Sequence, residues 1–172
     1  ILIERNNPIA LDYSNKLKDK IIKFLIKTTY KFSDAIISIS KELGKDLEKL
    51  CNKKVITIYN ASYDRNIYKL ANKKIKKQKH KVILNVARFE KQKNHLMLLK
   101  SFKNIEKNMN VKLLLVGYGS EKKNIIDYVN RNNLQKKIQF IKNIKNIYSY
   151  YKISDLFVLT SMYEGFGNVL VE

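Results

Sequence analysis

Three short stretches of this sequence carry residue types and spacings capable of chemistry. The first is Arg88-Phe89-Glu90-Lys91-Gln92-Lys93, which puts a guanidinium and an ammonium five positions apart. The fork and the point charge suit a diphosphate, above all if the loop opens a helix whose free N–H groups already favour an anion. A lysine-rich surface turn would read the same way. The second is Gly117-Tyr118-Gly119-Ser120. Its glycines allow either a close backbone approach to a ligand or a tight turn. A dinucleotide fingerprint would need a third glycine where Lys122 stands, so a nicotinamide reading is weak. The third is Ser161-Met162-Tyr163-Glu164-Gly165-Phe166-Gly167-Asn168, running into Val169-Leu170-Val171-Glu172. An acid in a glycine turn ahead of a helix can accept hydrogen bonds from sugar hydroxyls, or can stabilise the helix start. Asn168 is the expected cap of that helix, with Glu172 on its first turns.

These stretches need elements to hold them, and the hydrophobic periodicity supplies a set. Residues 1–3 read as a strand. Leu17, Ile21, Phe24, Leu25 and Thr28 recur at helical spacing within 14–32, with lysines on the remaining faces. A strand over 35–39 leads to Ser40, a good N-cap for a helix over 41–51, and a further strand runs from Val55 to Tyr59. Residues 62–81 dissolve into lysine-rich polar sequence, the expected linker. Strands are then expected at 82–87, 111–116, 138–141 and 156–160, separated by helices at 96–106, 121–132 and 147–152. Apolar strands alternating with helices indicate parallel sheets with helices on both faces, an α/β class. Such sheets bind ligands beyond the carboxyl ends of their strands. That selects the loops 88–95, 117–121, 142–146 and 161–168, and the chemical stretches fall in three of these four. The expected division is residues 1–61, the linker 62–81, and a second domain over 82–172.

Composition narrows the function classes. The chain has 172 residues and a formal charge of +20, with only four arginines (5, 65, 88 and 131) among its 35 basic residues. Against so strong a lysine bias, Arg88 marks a place where a planar fork matters. The charge favours anionic partners: nucleic acid, acidic lipid or phosphorylated small molecules. One cysteine excludes a disulfide framework or a cysteine-rich zinc module, and Cys51 reads as a small core residue. His80 and His95 are too isolated for a metal site. No serine sits in a Gly-x-Ser-x-Gly turn, which leaves an esterase without support. No apolar run reaches the length of a membrane-spanning helix, and no signal peptide is visible before Ile1. The first residue is not Met and the last follows an apolar run, so the expectation is a piece truncated at both ends.

The run from Asp155 to Glu172 resembles the Glu-x7-Glu region of glycosyltransferase family 4, retaining enzymes of the GT-B fold. Arg88 and Lys93 match that family's Arg-x4-Lys pair, and Gly117 and Gly119 its Gly-x-Gly loop. Ser33–Ser40 and Ile58-Tyr59-Asn60 resemble the end of its first, acceptor-binding domain. Glu4-Arg5-Asn6-Asn7-Pro8 is similar to members that build surface polysaccharides on lipid carriers. The sequence departs from the family pattern at Ala61, Ala87, Asn94 and Lys142, where glycine is common.

The resemblance implies two Rossmann-like domains, 1–61 closing the acceptor domain and 82–172 binding a nucleotide-sugar donor. By it, Arg88 and Lys93 hold the donor diphosphate and, with Glu164, form the catalytic set. Glu164 contacts the transferred sugar with the Gly165, Phe166 and Gly167 segment beside it, Gly117 and Gly119 line the donor, and Glu172 binds the ribose hydroxyls. The donor is expected to be of UDP type, with no metal and no cofactor, since fixed cations can do a divalent metal's work. The acceptor is a hydroxyl on a lipid-linked or other glycan. The expected location is bacterial and cytoplasmic, with peripheral contact to an anionic membrane through the 14–32 helix; the piece alone is expected to be inactive. The alternative is a basic module without catalysis, binding nucleic acid through the 69–81 lysines or a membrane surface. The lysine cluster has only Tyr68 as a nearby aromatic and no recognised RNA or DNA module, so no nucleic-acid partner is expected.

Overall fold

The computed structural model describes residues 1–4, 17–62, 64–72, 79–141 and 146–172. Arg5, Asn6, Asn7 and Pro8, the start of the 14–32 helix, most of the linker lysines and Lys142 lie outside them. The chain divides into two compact units, one of residues 1–62 with 163–171, the other of residues 63–162 with Glu172.

The first unit holds a three-stranded parallel sheet in the order β1-β2-β3: β1 (Leu2–Glu4), β2 (Ile36–Ser38) and β3 (Val55–Thr57). Its connections are α1 (Leu17–Thr29) and α2 (Lys41–Cys51). Ser40 caps α2 as expected, accepting the Leu43 N–H at 3.3 Å. α2 closes on Asn52 in the left-handed conformation, a residue type that tolerates it. Ile26, Ile36, Ile39, Leu43, Leu47, Cys51 and Val55 form the core, so Cys51 is the small core residue expected. Gly44 lets α2 lie close on the sheet, because a Cβ there would come within 2.9 Å of Ser38 Oγ. The helix α1 has apolar side chains on two faces. Its core contacts come from Ile22 and Ile26, whereas Leu17, Ile21, Phe24 and Leu25 are exposed. β3 stops at Thr57 rather than Tyr59.

The second unit holds a four-stranded parallel sheet in the order β6-β5-β4-β7. Its strands are β4 (Lys81–Val86), β5 (Val111–Val116), β6 (Ile138–Ile141) and β7 (Leu156–Phe157). Its helices are α3 (Asn66–Ala71), α4 (His95–Ile105), α5 (Lys122–Arg131) and α6 (Tyr148–Ile153). The period of two decides which side each strand residue serves. Ile83, Leu113, Leu115 and Ile138 pack with Leu98, Leu99 and Phe102 of α4 and Ile125 and Val129 of α5. Val82, Leu84, Leu114 and Val116 meet Tyr150 and Tyr151 of α6. Helices therefore cover both faces of this sheet.

The expected linker contains a helix: within residues 62–81 the chain forms α3, which contacts α6. β7 is shorter than expected because its ladder is taken over by a side chain. After Val158 N–H donates to the Leu84 carbonyl, the Val158 carbonyl accepts from Asn85 Nδ2 at 2.8 Å. Asn85 is fully buried on the central strand, where its amide substitutes for a main-chain donor. No helix among the described residues is long and apolar enough to cross a membrane.

Candidate functional site

In the second unit, Arg88, Lys93, Gly117 and Gly119 all lie past the carboxyl ends of β4 and β5, the edge at which parallel sheets bind ligands. The Arg88 stretch starts two residues after β4 and ends in a 3-10 turn over Lys91–Lys93. Asn94, left-handed at φ 49°, then turns the chain into α4. Asparagine serves here where the family commonly has glycine. Arg88 is exposed, and its guanidinium has no hydrogen-bond partner among the described residues. Lys93 is half-buried. Its carbonyl accepts from Thr160 Oγ1 at 3.0 Å, as does that of Asn94 at 3.3 Å, which ties the end of the loop to the segment after β7.

The two glycines act on the neighbouring loop. Gly117 and Gly119 have φ of 156° and 152°. A Cβ on Gly117 would collide with the Ala87 carbonyl, and one on Gly119 with the Phe89 carbonyl. Their absence lets the β5–α5 loop press onto the Arg88 loop. Phe89 N–H donates to the Tyr118 carbonyl and Glu121 N–H to the Phe89 carbonyl, both at 2.7 Å. Ser120 adds its Oγ–H at 2.9 Å and its N–H at 3.3 Å to the Glu90 carboxylate. What the two glycines accommodate among the described residues is the backbone of the neighbouring loop, at the Ala87 and Phe89 carbonyls. Phe89, itself buried, anchors the stapled pair from below.

Sequence reasoning gave no role to Glu90 or Thr160, and weighed His95 only as a metal ligand. Only a polar residue recurring among the apolar contacts of these loops would have marked them. His95 opens α4 and is 3% exposed, its ring edge-on to Phe89 at 5.0 Å. Among the described residues neither imidazole nitrogen has a hydrogen-bond partner. Burial, helped by the nearby Lys93 charge, pushes its pKa down to about 4, so the ring is neutral at pH 7. It lines a cavity of about 410 Å³ with Glu90, Asn94, Glu121, Asn124 and Met162.

Residues 163–171 belong to the first unit, and with them Glu164, Gly165, Phe166 and Gly167. Phe166 packs on that unit's core, its ring 5.7 Å from that of Tyr59. Glu164 is half-buried. Gly167, left-handed at φ 71°, starts a 3-10 turn over Asn168–Leu170. Asn168 does not cap it. Its side-chain oxygen instead accepts from Asn60 Nδ2 at 3.0 Å and Ser62 Oγ at 2.9 Å. Glu172 therefore lies past a 3-10 turn rather than on a helix, and groups with the second unit, where its charge reinforces burial in raising the Tyr151 pKa.

The chain is 33% identical over its whole length to an uncharacterized glycosyltransferase of Methanocaldococcus jannaschii, of which it covers 45%. It is 31% identical, again over its whole length, to a Campylobacter jejuni enzyme of which it covers 47%. That relative is N-acetylgalactosamine-N,N'-diacetylbacillosaminyl-diphospho-undecaprenol 4-alpha-N-acetylgalactosaminyltransferase. The chain thus spans about half the length of these relatives. A solved Anabaena protein, HepE in complex with UDP and glucose, shares its fold at 18% identity, with a TM-score of 0.78 over 99% of this chain and 48% of that one. The family model for glycosyl transferases group 1 matches residues 66–172, which hold the Arg88 loop, the Gly-x-Gly loop and both glutamates. With its parallel α/β architecture of GT-B type, the chain belongs to the glycosyl transferases group 1.

Proposed function

We propose that this chain is part of a retaining glycosyltransferase of family 4 that takes a sugar from a nucleotide-diphosphate donor, of UDP type, and passes it to a hydroxyl. Cleaving the glycosyl–phosphate bond leaves charge on the departing diphosphate, and cations fixed where that charge develops lower the barrier. Arg88 and Lys93 are assigned that role, doing with side chains what a divalent metal does in other transferases. Glu164 is assigned to the hydroxyls of the transferred sugar, with the Gly165–Gly167 backbone beside it, and Glu172 to the ribose. Gly117 and Gly119 shape the donor loop.

The acceptor is a lipid-linked or other glycan, and the enzyme works peripherally at the cytoplasmic face of the membrane. Supporting the acceptor class are the relatives' names: the Campylobacter enzyme's names a diphospho-undecaprenol, and a Staphylococcus aureus relative is a capsular polysaccharide biosynthesis glycosyltransferase. The donor reading is carried by one observation above all. The Arg88 guanidinium, without a hydrogen-bond partner among the described residues, stands at the carboxyl edge of a parallel sheet, on a loop held in place by Glu90, Phe89 and Thr160.

Calorimetric titration of UDP, GDP and ADP, with their sugar adducts, into wild type and Arg88→Ala tests it. Loss of a charge-assisted contact to the diphosphate is expected to weaken binding by about 10- to 100-fold. Equal binding by both proteins would remove Arg88 from the donor site.

A further inference from the structure

His95 carries hydrogen-bonding capacity that the rest of the second unit does not use. It opens α4 and is 3% exposed, and among the described residues neither of its nitrogens has a partner. Polar atoms buried unpaired are costly, so a ring in this position points to a group from outside that meets it. The ring borders a cavity of about 410 Å³, a volume within the range of small-molecule sites. The cavity is edged by the first turns of α4 and α5, and its lining residues all belong to the second unit.

The lining says what chemistry fits. A neutral imidazole presents one N–H donor and one bare acceptor nitrogen, so its complement must both accept and donate. A hydroxyl does both, whereas an ammonium only donates and an ionised carboxylate only accepts. Glu90 and Glu121 border the same space, with the ammonium of Lys91 beside them, a balance that disfavours an anion. Both carboxylates are held in place: Glu90 accepts from Ser120 Oγ at 2.9 Å, and Glu121 from Asn124 Nδ2 at 3.0 Å. Asn124 borders the cavity as well and brings an amide that can donate and accept. Leu96 and Met162, 37% and 52% exposed, add apolar surface. Several hydroxyls together with patches of C–H describe a pyranose ring.

We infer that this cavity is a site for a neutral pyranose unit of a glycan, hydrogen-bonded by His95, Glu90, Glu121 and Asn124 and covered by Leu96 and Met162. A sugar still joined to a nucleotide would bring its diphosphate close to Glu90 and Glu121, which favours a unit that carries no charge. Glu164, assigned above to the transferred sugar, does not border the cavity. The site goes beyond the proposed transfer and does not depend on the donor assignment. It gives the second unit a hold on saccharide next to the Arg88 loop, because Glu90 belongs to both.

Proton NMR titration of the whole chain with the methyl glycosides of glucose, galactose, N-acetylglucosamine and N-acetylgalactosamine tests the inference. At least one of them is expected to shift the His95 C2 proton, with a dissociation constant of about 1–10 mM, and to leave the His80 signal in place. His95→Phe and Asn124→Ala should each weaken binding about three- to tenfold, followed by saturation transfer to the glycoside's own protons. Asn124 is exposed on α5, so the circular dichroism of its variant should match wild type. Arg88→Ala should leave glycoside binding unchanged. No shift from any glycoside at about 50 mM, or indifference to either cavity variant, overturns the inference. So does displacement of the glycoside by UDP-glucose, since the occupant would then be the donor's own sugar. UDP titration of the same proteins separates the two readings. Glycoside binding by a wild type that has no UDP affinity retires the donor assignment while the site stands, and UDP binding without glycoside binding does the reverse.

Discussion

Replacing His95 by phenylalanine should make the protein less sensitive to acid. The ring is 3% exposed, stacks edge-on against Phe89, and has no partner for either nitrogen among the described residues. Burial and Lys93 lower its pKa to about 4, while Glu121 opposes them weakly. In the unfolded chain the same imidazole titrates near 6.5. Between those two values the unfolded state binds more protons than the folded one, so this contribution to stability is complete above about pH 6.5 and is lost as the pH falls toward 4. Linkage then gives a loss of about 2 kcal/mol at pH 5, rising to about 3 kcal/mol below pH 4. Phenylalanine keeps the ring contact and cannot titrate. It also removes two buried nitrogens whose desolvation goes uncompensated, so the variant should be no less stable at pH 7.5. Acidic side chains titrate in both proteins, and only the difference between the two is informative. Urea unfolding followed by tyrosine fluorescence suits a chain with eleven tyrosines and no tryptophan. Moving from pH 7.5 to pH 5 should cost wild type about 2 kcal/mol more than the variant. With only two histidines in the chain, proton NMR gives an independent reading. The C2 proton signal lost in the variant should have its midpoint near pH 4 in wild type. A midpoint near 6.5, or equal acid sensitivity of the two proteins, would refute the buried neutral imidazole.

The glycines and Asn168 give sharper structural tests. Gly119→Ala combines a positive φ with a collision against the Phe89 carbonyl and should cost more than about 2 kcal/mol. Gly167→Ala has the same sign of φ but meets only the Leu170 side chain, at 3.4 Å, and should cost about 1 kcal/mol. Equal costs in urea unfolding would show that the two loops do not interlock. Asn168→Ala removes the acceptor shared by Asn60 and Ser62, and should speed hydrogen exchange over 163–171 without changing the rest of the first unit. An unchanged exchange rate there would mean that the two bonds do not secure the segment.

Much of this architecture was legible because apolar periodicity is a strong local signal. β4, β5, β6, α2 and α4 lie within a residue of their expected bounds, and Ser40 caps the helix it announces. The failures have tertiary causes. β7 looks long in sequence because Leu156–Thr160 is apolar, but a buried Asn85 amide ends its ladder early. The Asn168 side chain, expected to cap a helix, bonds Asn60 and Ser62 instead, and the residues after Gly167 form a 3-10 turn. For α1 the helix was legible and its core face was not: Ile22 and Ile26, which pack on the core, stand outside the stripe of Leu17, Ile21, Phe24 and Leu25. Of the candidate site, Arg88 and Lys93 were legible as charges, because arginine stands out in a lysine-rich chain. The props beneath them were not. Glu90, Thr160 and His95 act through partners 30 to 67 positions away or through burial, which no window along the chain contains.

The hydrogen bonds from Asn60 and Ser62 to Asn168 close chain separations of 108 and 106 residues. A polypeptide emerging from the ribosome therefore exposes β1, β2, β3 and α2 long before Phe166 is available to cover their core. During synthesis, the first unit must persist without its last piece while every strand of the second is made. Its early survival then falls to the Ile36, Leu43 and Leu47 nucleus, all local in sequence, and late docking of residues 163–171 completes it.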